Sequence, residues 1–275
     1  MKNRINLDWH KCNEDFKKIF HYKKKGKNEK NFLIVGNYDR SFYECKKCKH
    51  VISYSNFKIS NLYNKQYLDQ TYKDISGLEK RFNEISNLNI KKSDNKNRVK
   101  RINNFFGNKN LSVLDIGSGT GVFLNEMKIN NHYVNGVDLD QRYVTFLKKK
   151  KIKIFCTPLN KLDIRKKFDL ITFNKVLEHV NNPVRMIKDS LKFLKRDGVI
   201  YIEVPDKKAK IKGKHCGEFC PDHLQVFSKI SLNDMVNAAG LQKILIKDII
   251  EPSNKYTIYG FMKLTKGYKV KIWIY

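Results

Sequence analysis

The chain has 275 residues, is 41% hydrophobic and carries a formal net charge of +29. This length predicts one large domain, or one domain with a small appendage. The sequence has neither an apolar run of about 18 residues nor an apolar signal core, so we expect a cytoplasmic protein without a membrane span. The lysines are spread along the chain, and the two tight runs at 23–27 and 148–151 are not interleaved with aromatic residues. The charge therefore favours a solvated surface and an acidic small substrate over a nucleic-acid groove.

The first feature along the chain is a group of cysteines. Cys45 and Cys48 form a Cys-x-x-Cys pair that predicts a tight turn between two strands, and the lack of an export signal argues against disulfides. A zinc site needs four ligands, usually from two such pairs, but no second cysteine lies three residues from Cys12. His10 and Asp15 are possible substitutes. Two alternatives stay open for Cys12, Cys45 and Cys48: bound zinc, or a turn that keeps its fold without the metal.

Residues 56–110 are polar and rich in lysine, with apolar residues at helical spacing. This spacing predicts one helix over residues 78–88 and a second helix through Val99 and Ile102, joined by a charged connection at 91–96. The second helix is expected to pack on a sheet. Three tyrosines precede both helices, and we favour a packing role over a role in the substrate pocket for Tyr63, Tyr67 and Tyr72.

The stretch 111–121 is the most informative part of the chain. An apolar run around Asp115 is followed by glycines and then by good helix formers, which predicts a strand, a tight turn and a helix. The pattern Asp-x-Gly-x-Gly-x-Gly differs from the Gly-x-Gly-x-x-Gly of dinucleotide loops. It resembles motif I of the class I S-adenosylmethionine-dependent methyltransferases. The resemblance implies that the cofactor is bound by Asp115, Gly117, Ser118, Gly119, Thr120 and Gly121.

A second acid, Asp138, ends the next predicted strand. In a doubly wound sheet this strand end lies beside the ligand crevice, where a carboxylate can accept both hydroxyls of a ribose. Asp140 is expected to cap the following helix. A third predicted strand ends at Cys156, which we expect to be a buried thiol. The resemblance implies further contacts with the adenine from Leu139, Thr157 and Leu159.

A fourth strand is predicted over residues 168–174, and the segment after it resembles the Leu-Glu-His-Val-x-x-Pro segment of small-molecule methyltransferases. This strand lies next to the first strand, across the switch point of the sheet. The resemblance implies that Asn174, Lys175 and Val176 line the methionine end of the cofactor. Two alternatives are open for His179, which packs the turn before the next helix or faces the transferring methyl group.

Residues 219–228 resemble a segment that precedes a helix in methyltransferases acting on sugars, quinones and similar molecules, with Asp222 in place of glutamate. His223 in this segment is a candidate general base or substrate-orienting group, and the alternative is that it ties the loop to the core. Ser228 is expected to cap the helix that follows. No zinc pattern fits the spacing of His215, Cys216, Cys220 and His223.

The remaining elements complete an α/β fold. A helix is predicted over residues 183–194, ended by Asp197-Gly198, and the last two strands are separated by only a turn, which favours an antiparallel pair. The resemblance covers residues 99–264 and implies a doubly wound seven-stranded sheet of order 3-2-1-4-5-7-6, with the last strand antiparallel. The expected domains are a knuckle-like segment at 1–55, a helical linker or lid at 56–110, a methyltransferase domain at 111–265 and a tail at 266–275.

The resemblance implies a function as well as a fold. Methyltransferases of this kind transfer a methyl group from S-adenosylmethionine, and we expect an O-methyl transfer to a small polar acceptor such as a sugar or sugar nucleotide, with His223 or His179 as the base. Some carry an N-terminal zinc-binding segment with two Cys-x-x-Cys pairs, and this chain departs from that pattern at the first pair. An RNA or protein methyltransferase is one alternative, although no Asn-Pro-Pro-Tyr-like tetrad follows the fourth strand. A binding protein that keeps the fold without catalysis is another, and the oligomeric state stays open.

Overall fold

Short strands build the N-terminal part of the protein. The computed structural model describes residues 7–12, 15–25, 34–35, 37–59, 74–107 and 109–267, so the three tyrosines and the tail from residue 268 lie outside the described residues. The first five strands are β1 (Phe16–Tyr22), β2 (Ile34–Val35), β3 (Arg40–Cys45), β4 (Val51–Ser55) and β5 (Lys58–Ile59). β3 pairs antiparallel with β1 and β4, and β2 pairs with β5. The Cys-x-x-Cys pair occupies the turn between β3 and β4, as the sequence predicts.

Two helices, α1 (Ile75–Ser86) and α2 (Asp94–Phe106), come next and confirm the helical spacing. Ser93 caps α2 by accepting a hydrogen bond from the backbone N–H of Lys96 at 3.2 Å. The helix therefore begins at Asp94, inside the segment 91–96. The prediction that the connection extends to residue 96 was wrong for its last three residues, which are helical. A serine hydroxyl at this position satisfies one of the free N–H groups of the first turn.

The rest of the described chain alternates strands and helices. The strands are β6 (Ser112–Ile116), β7 (Tyr133–Asp138), β8 (Lys153–Cys156), β9 (Phe168–Asn174), β10 (Leu194–Pro205), β11 (Gln225–Val226), β12 (Leu241–Ile250) and β13 (Tyr256–Leu264). The helices are α3 (Val122–Ile129), α4 (Gln141–Lys149), α5 (Pro183–Ser190) and α6 (Lys229–Ala238). Asp140 and Ser228 accept backbone hydrogen bonds at the starts of α4 and α6, which confirms both predicted caps.

Seven of these strands form one sheet in the order β12-β13-β10-β9-β6-β7-β8. The five strands from β6 to β10 run parallel to one another, and β13 runs antiparallel to β10 and β12. Numbered from β6 within the sheet, this is the predicted order 3-2-1-4-5-7-6. The order changes direction between β6 and β9, so the carboxyl ends of these two strands border the crevice in which ligands of such sheets bind.

Alternate residues of the central strands point to opposite faces of the sheet. On one face, Leu114 and Ile171 pack with side chains of α5 and α6, whereas on the other face Val113 and Leu170 pack with α1, α2, α3 and α4. Both faces are therefore covered, as the apolar strands require. No helix among the described residues is long and apolar enough to cross a bilayer.

Two local predictions were wrong. The helix predicted over 183–194 ends at Ser190, and Asp197-Gly198 lies inside β10, where the pairing with β9 shifts register between Leu194 and Val199. Cys156 is exposed instead of buried, because it is the last residue of β8 at the open end of the sheet. Alternation along a strand predicts the face of a residue but not whether a neighbouring element covers that strand end.

Candidate active site

A glycine-rich loop joins β6 to α3 at the carboxyl end of the sheet. Gly117 and Gly121 have φ angles of 72° and 73°, which side-chain-bearing residues rarely adopt. A Cβ atom on Gly117 would lie 2.7 Å from Val176 Cγ2, and one on Gly121 would lie 2.5 Å from Leu147 Cδ2. The loop thus packs closely against the strand end of β9 and against α4, and its backbone lies at the N-terminus of α3, where free N–H groups favour polar or anionic ligand atoms.

The carboxylate of Asp138 is held at the end of β7 by backbone N–H groups. One oxygen accepts from Gly119 at 2.7 Å, and the other accepts from Leu139 at 2.7 Å and Asp140 at 3.2 Å. Burial raises the pKa of Asp138, and these N–H donors oppose that rise. The side chain is therefore fixed in orientation beside the glycine loop, at the position where the sequence predicts a ribose ligand.

Asp115 lies beneath the loop and is 2% exposed. Its Oδ1 atom accepts from Thr172 Oγ1 at 2.6 Å and from Asn174 Nδ2 at 2.8 Å. Burial raises the pKa of Asp115 to about 7, although these two donors and the charge of Arg98 lower it. Asn174 Oδ1 is buried and has no hydrogen-bond partner among the described residues. An unpaired buried acceptor is costly, so this oxygen fits a ligand that donates a hydrogen bond, such as an ammonium group.

The other predicted cofactor residues lie in two places, after the end of β9 and beside the ends of β7 and β8. Lys175 follows β9 with a φ of 58°, and its Nζ donates to Thr257 Oγ1 at 2.6 Å. Burial lowers the pKa of Lys175. At the far end of the crevice, Leu139 is 47% exposed, Thr157 is half-buried, and Leu159 is buried in the core with 7% exposure. Leu139 and Thr157 are thus accessible to a ligand, whereas the side chain of Leu159 mainly supports the turn.

The two predicted catalytic histidines lie side by side, with ring centroids 4.8 Å apart. His179 Nδ1 donates to the backbone carbonyl of Asp222 at 2.8 Å, and His223 Nδ1 donates to the carbonyl of Glu218 at 2.9 Å. Burial and the neighbouring His179 lower the pKa of His223 to about 3, so this ring is neutral. These bonds tie the loop to the turn after β9, and they leave the Nε2 lone pair of a neutral ring for chemistry.

A family model described as a methyltransferase domain matches residues 88–246 of this chain. The chain belongs to the methyltransferase domain family. The ubiquinone biosynthesis O-methyltransferase of Pelagibacter ubique is 35% identical over 109 residues, which are 37% of this chain and 45% of that protein. The protein of the same name from Glaesserella parasuis is 29% identical over 61% of this chain and 75% of its own length. The chain thus spans less than half of the first of these relatives.

Solved methyltransferases share the fold. Magnesium protoporphyrin IX methyltransferase from Synechocystis PCC 6803, solved with bound SAH, has a TM-score of 0.55 at 14% identity and covers 74% of this chain and 97% of its own. The 1,6-didemethyltoxoflavin-N1-methyltransferase of Burkholderia thailandensis has a TM-score of 0.54 at 13% identity, over 86% of this chain and 100% of its own. At these identities the likeness concerns the fold, and it agrees with the sheet order predicted from the motifs.

A second group of ligand-type side chains lies in the N-terminal part of this chain. One ligand atom each from His10, Cys12, Cys45 and Cys48 lies within 4.8 Å of the others. His10 Nε2 is 3.0 Å from Cys48 Sγ, and the backbone N–H of His50 donates to the same sulfur at 3.5 Å. The fold therefore completes a four-ligand group with His10, and Asp15 is not part of it.

This N-terminal group is attached to the methyltransferase sheet through α6. Ser228 Oγ donates to the carbonyl of Cys48 at 2.5 Å, and His50 Nδ1 lies 3.2 Å from Ser231 Oγ. Trp9 is 4% exposed and stacks near Phe227 with centroids 6.4 Å apart. β11 adds to the edge of β4 directly after the His223 loop. The N-terminal sheet thus positions the loop that carries His223, one of the two histidines predicted to be catalytic.

Sequence reasoning missed a buried ionic network next to the site. Glu203 in β10 is fully buried and accepts from Arg98 at 2.5 Å and Arg101 at 2.6 Å, and Arg101 also pairs with Glu251 at 3.0 Å. The two guanidinium groups outweigh burial and hold the pKa of Glu203 well below its usual range. The one feature of the sequence that could have revealed this network is the single acid, Glu203, within the apolar run of residues 199–205. This network fixes α2 to the sheet beneath the cofactor residues.

Proposed function

We propose that this chain transfers a methyl group from S-adenosylmethionine to an oxygen atom of a small polar acceptor. The observation that supports this most strongly is the Asp138 carboxylate, which three backbone N–H groups hold beside the close-packed glycine loop. Asp138 would hold the ribose hydroxyls. Asn174 Oδ1 and the carboxylate of Asp115 would hold the amino group, which gives the unpaired Asn174 oxygen a donor.

The chain's own residues have two tasks in this reaction. When bound, S-adenosylmethionine supplies a methyl group on a sulfonium, and the acceptor oxygen forms the new C–O bond while the S–C bond breaks. The crevice residues hold both reactants in line and exclude water. His179 and His223 act on the acceptor hydroxyl, because their Nδ1 atoms are engaged by carbonyls and Nε2 can take up the hydroxyl proton.

The acceptor class rests on charge and on the names of relatives. The net charge of +29 favours an acidic acceptor, such as a sugar nucleotide, and relatives named as O-methyltransferases favour oxygen as the accepting atom. We place this reaction in the cytoplasm, where thiols such as the N-terminal cysteines stay reduced. An acceptor screen therefore starts with nucleotide sugars and continues with ring hydroxyls of quinone-like molecules.

We further propose that His10, Cys12, Cys45 and Cys48 bind a structural zinc ion. Zinc bonds of about 2.0–2.3 Å in a tetrahedron hold the ligand atoms roughly 3.3–3.8 Å apart, so a small contraction of the group completes the site. Three thiolates and one imidazole are the donor set that zinc prefers, and a site with four protein ligands has no open position for catalysis. The ion would fix the segment before β1 to the turn between β3 and β4.

Calorimetric titration with S-adenosylmethionine tests the main proposal. We expect micromolar binding to the wild type and at least about tenfold weaker binding to Asp138→Ala, which corresponds to about 1.4 kcal/mol. Asp163→Ala is the matched control, because Asp163 is an exposed acid elsewhere in the chain. Folded wild type that does not bind S-adenosylmethionine would contradict the proposal.

Metal analysis tests the zinc site. Protein purified under reducing conditions with zinc present is expected to hold one zinc ion per chain, and Cys48→Ser is expected to lose it. Cys156→Ser, an exposed cysteine outside the group, serves as the control and should retain the ion. Equal zinc content in all three proteins would show that the ion is held elsewhere.

A further inference from the structure

A third group of ligand-type side chains lies at the acceptor side of the crevice. Glu178, His179 and His223 each bring one ligand atom within 4.8 Å of the other two. Glu178 and His179 belong to the turn directly after β9, and His223 comes from the loop before β11. Two hydrogen bonds join these segments: Leu224 N–H donates to the Glu178 carbonyl at 2.8 Å, and Gln225 Nε2 donates to the Val180 carbonyl at 3.0 Å. The group is therefore held by fixed backbone on both sides.

The carboxylate of Glu178 has no partner that explains its burial. The residue is fully buried, and neither of its side-chain oxygens has a hydrogen-bond partner among the described residues. The nearby ammonium of Lys175 donates to Thr257, and among the described residues no ion pair joins Lys175 to Glu178. Buried carboxylates are normally paired with a cation or coordinate a metal, because an uncompensated charge is costly in a low-dielectric interior. The ammonium of Lys175 acts on Glu178 through space, without an ion pair or hydrogen bond to its oxygens among the described residues, so both oxygens are open to a further cation.

The two imidazoles have the arrangement of metal ligands. Each donates its Nδ1 hydrogen to a backbone carbonyl, Asp222 for His179 and Glu218 for His223. Such a bond fixes the tautomer and the ring orientation, and it leaves the Nε2 lone pair for a metal. Two imidazoles beside a carboxylate without a hydrogen-bond partner form a two-histidine, one-carboxylate donor set. Sites of this kind hold divalent cations with coordination positions left open for substrate.

We propose that Glu178, His179 and His223 bind a divalent cation whose open positions take two neighbouring oxygens of the acceptor. This inference rests on the proposed function only for the identity of the acceptor. The acceptor would then carry either two adjacent hydroxyl groups or a hydroxyl group next to a carbonyl group. The cation acts as a Lewis acid that lowers the pKa of the bound hydroxyl, so its proton leaves to solvent before the C–O bond forms. The histidines then hold the cation instead of taking up that proton themselves.

Manganese binding tests the site without a known acceptor. Mn²⁺ prefers nitrogen and oxygen ligands over thiolates, whereas zinc prefers the thiolates of the N-terminal group. Protein given one zinc ion per chain, with no excess, can therefore be titrated with Mn²⁺ and followed by the electron paramagnetic resonance signal of the free ion. We expect one Mn²⁺ per chain in the wild type. Glu178→Gln and His223→Ala should weaken it by at least about tenfold. The matched control is His215→Ala, which removes an exposed histidine outside the group and should leave binding unchanged.

The same samples are titrated with S-adenosylmethionine, which separates the two proposals. Protein that binds S-adenosylmethionine but no Mn²⁺, or that binds Mn²⁺ equally in all variants, overturns the cation site and leaves the imidazoles as bases. Protein that binds Mn²⁺ at this site but no S-adenosylmethionine supports the site and contradicts the methyl transfer. If His223→Ala also loses S-adenosylmethionine binding through misfolding, His179→Asn takes its place under the same criteria.

Discussion

Two turns follow adjacent strands of the sheet, and they are built in different ways. The turn after β6 presents mainly backbone groups, and its shape depends on glycines that are close in sequence. The turn after β9 presents side chains, Glu178 and His179, and it becomes a site only where the loop of His223 reaches it. The first turn needs one strand, one loop and one helix, whereas the second needs the N-terminal sheet as well, because β11 is paired with β4.

Under the proposed function, this difference would let one fold serve different acceptors. Backbone N–H groups and one fixed carboxylate would bind features that every molecule of the same cofactor has, so the first turn would have little freedom to change. The second turn would bind through side chains supplied by a separate segment, which can change without disturbing the sheet. The cofactor half of the site, around the turn after β6, and the acceptor half, around the turn after β9, should therefore respond differently to substitution. Four predictions test this.

The largest effect is expected for Glu203→Gln, in the ionic network beneath both turns. The change leaves the buried Arg98 and the partly buried Arg101 without their shared carboxylate, which we expect to lower the free energy of unfolding by about 3–5 kcal/mol. Urea unfolding measures it. Asp197→Asn removes an exposed acid from the same strand and should stay within about 0.5 kcal/mol of the wild type. A similar small change for both variants would mean that the network contributes little.

Trp9→Ala tests whether the N-terminal segment supports only the acceptor half. Removing this buried ring from Phe227 and His50 is expected to cost about 3–5 kcal/mol of unfolding free energy. The folded protein should bind S-adenosylmethionine within about twofold of the wild type, since the ring contacts of Trp9 are with His10, His50 and Phe227, which are not among the residues predicted to bind the cofactor. Tyr54→Ala, at an exposed position of β4, is the control. A large loss of cofactor affinity in Trp9→Ala would show that the halves are coupled.

Gly121→Ala tests the close packing of the glycine loop. The left-handed backbone and the contact with Leu147 together are expected to cost about 2–4 kcal/mol, seen as weaker binding of S-adenosylmethionine and a lower melting temperature. Gly213→Ala is a matched control, because Gly213 has a φ of 82° and no atom within 4 Å of the added Cβ. Equal effects in the two variants would assign the cost to backbone conformation alone.

The smallest effect concerns pH. Burial raises the pKa of Asp115 to about 7, so the carboxyl is protonated below this value and ionised above it. Only the ionised form attracts the amino group of the cofactor, and affinity for S-adenosylmethionine should therefore rise as pH rises through about 7. Asp115→Asn has no carboxyl to titrate and should flatten this rise at about tenfold lower affinity, roughly 1.4 kcal/mol. Calorimetry across this range measures both, and parallel profiles for the two proteins would contradict the role of Asp115.

The outcome for single residues shows where sequence reasoning ends. The caps at Asp140 and Ser228 were predicted from residues within one turn of the helix that they start, and both are present. The exposure of Cys156 was predicted wrongly, because alternation along β8 carries no information about which element covers its end. His10 was one of two possible ligands beside Cys12, and only the path of residues 7–12 across the turn of Cys48 selects it over Asp15.

The sequence by itself determined the alternating strands and helices and the glycine loop with Asp115 and Asp138, because apolar periodicity and glycine spacing are local in the chain. The order of the seven strands was implied by the resemblance of its motifs to the class I methyltransferases. Only the tertiary structure decided that His10 joins three cysteines, that Glu203 is shared by two arginines, and that Glu178 lies unpaired beside His179 and His223. Those groups join residues far apart in sequence, and their contacts depend on how strands and loops pack, which no short pattern encodes.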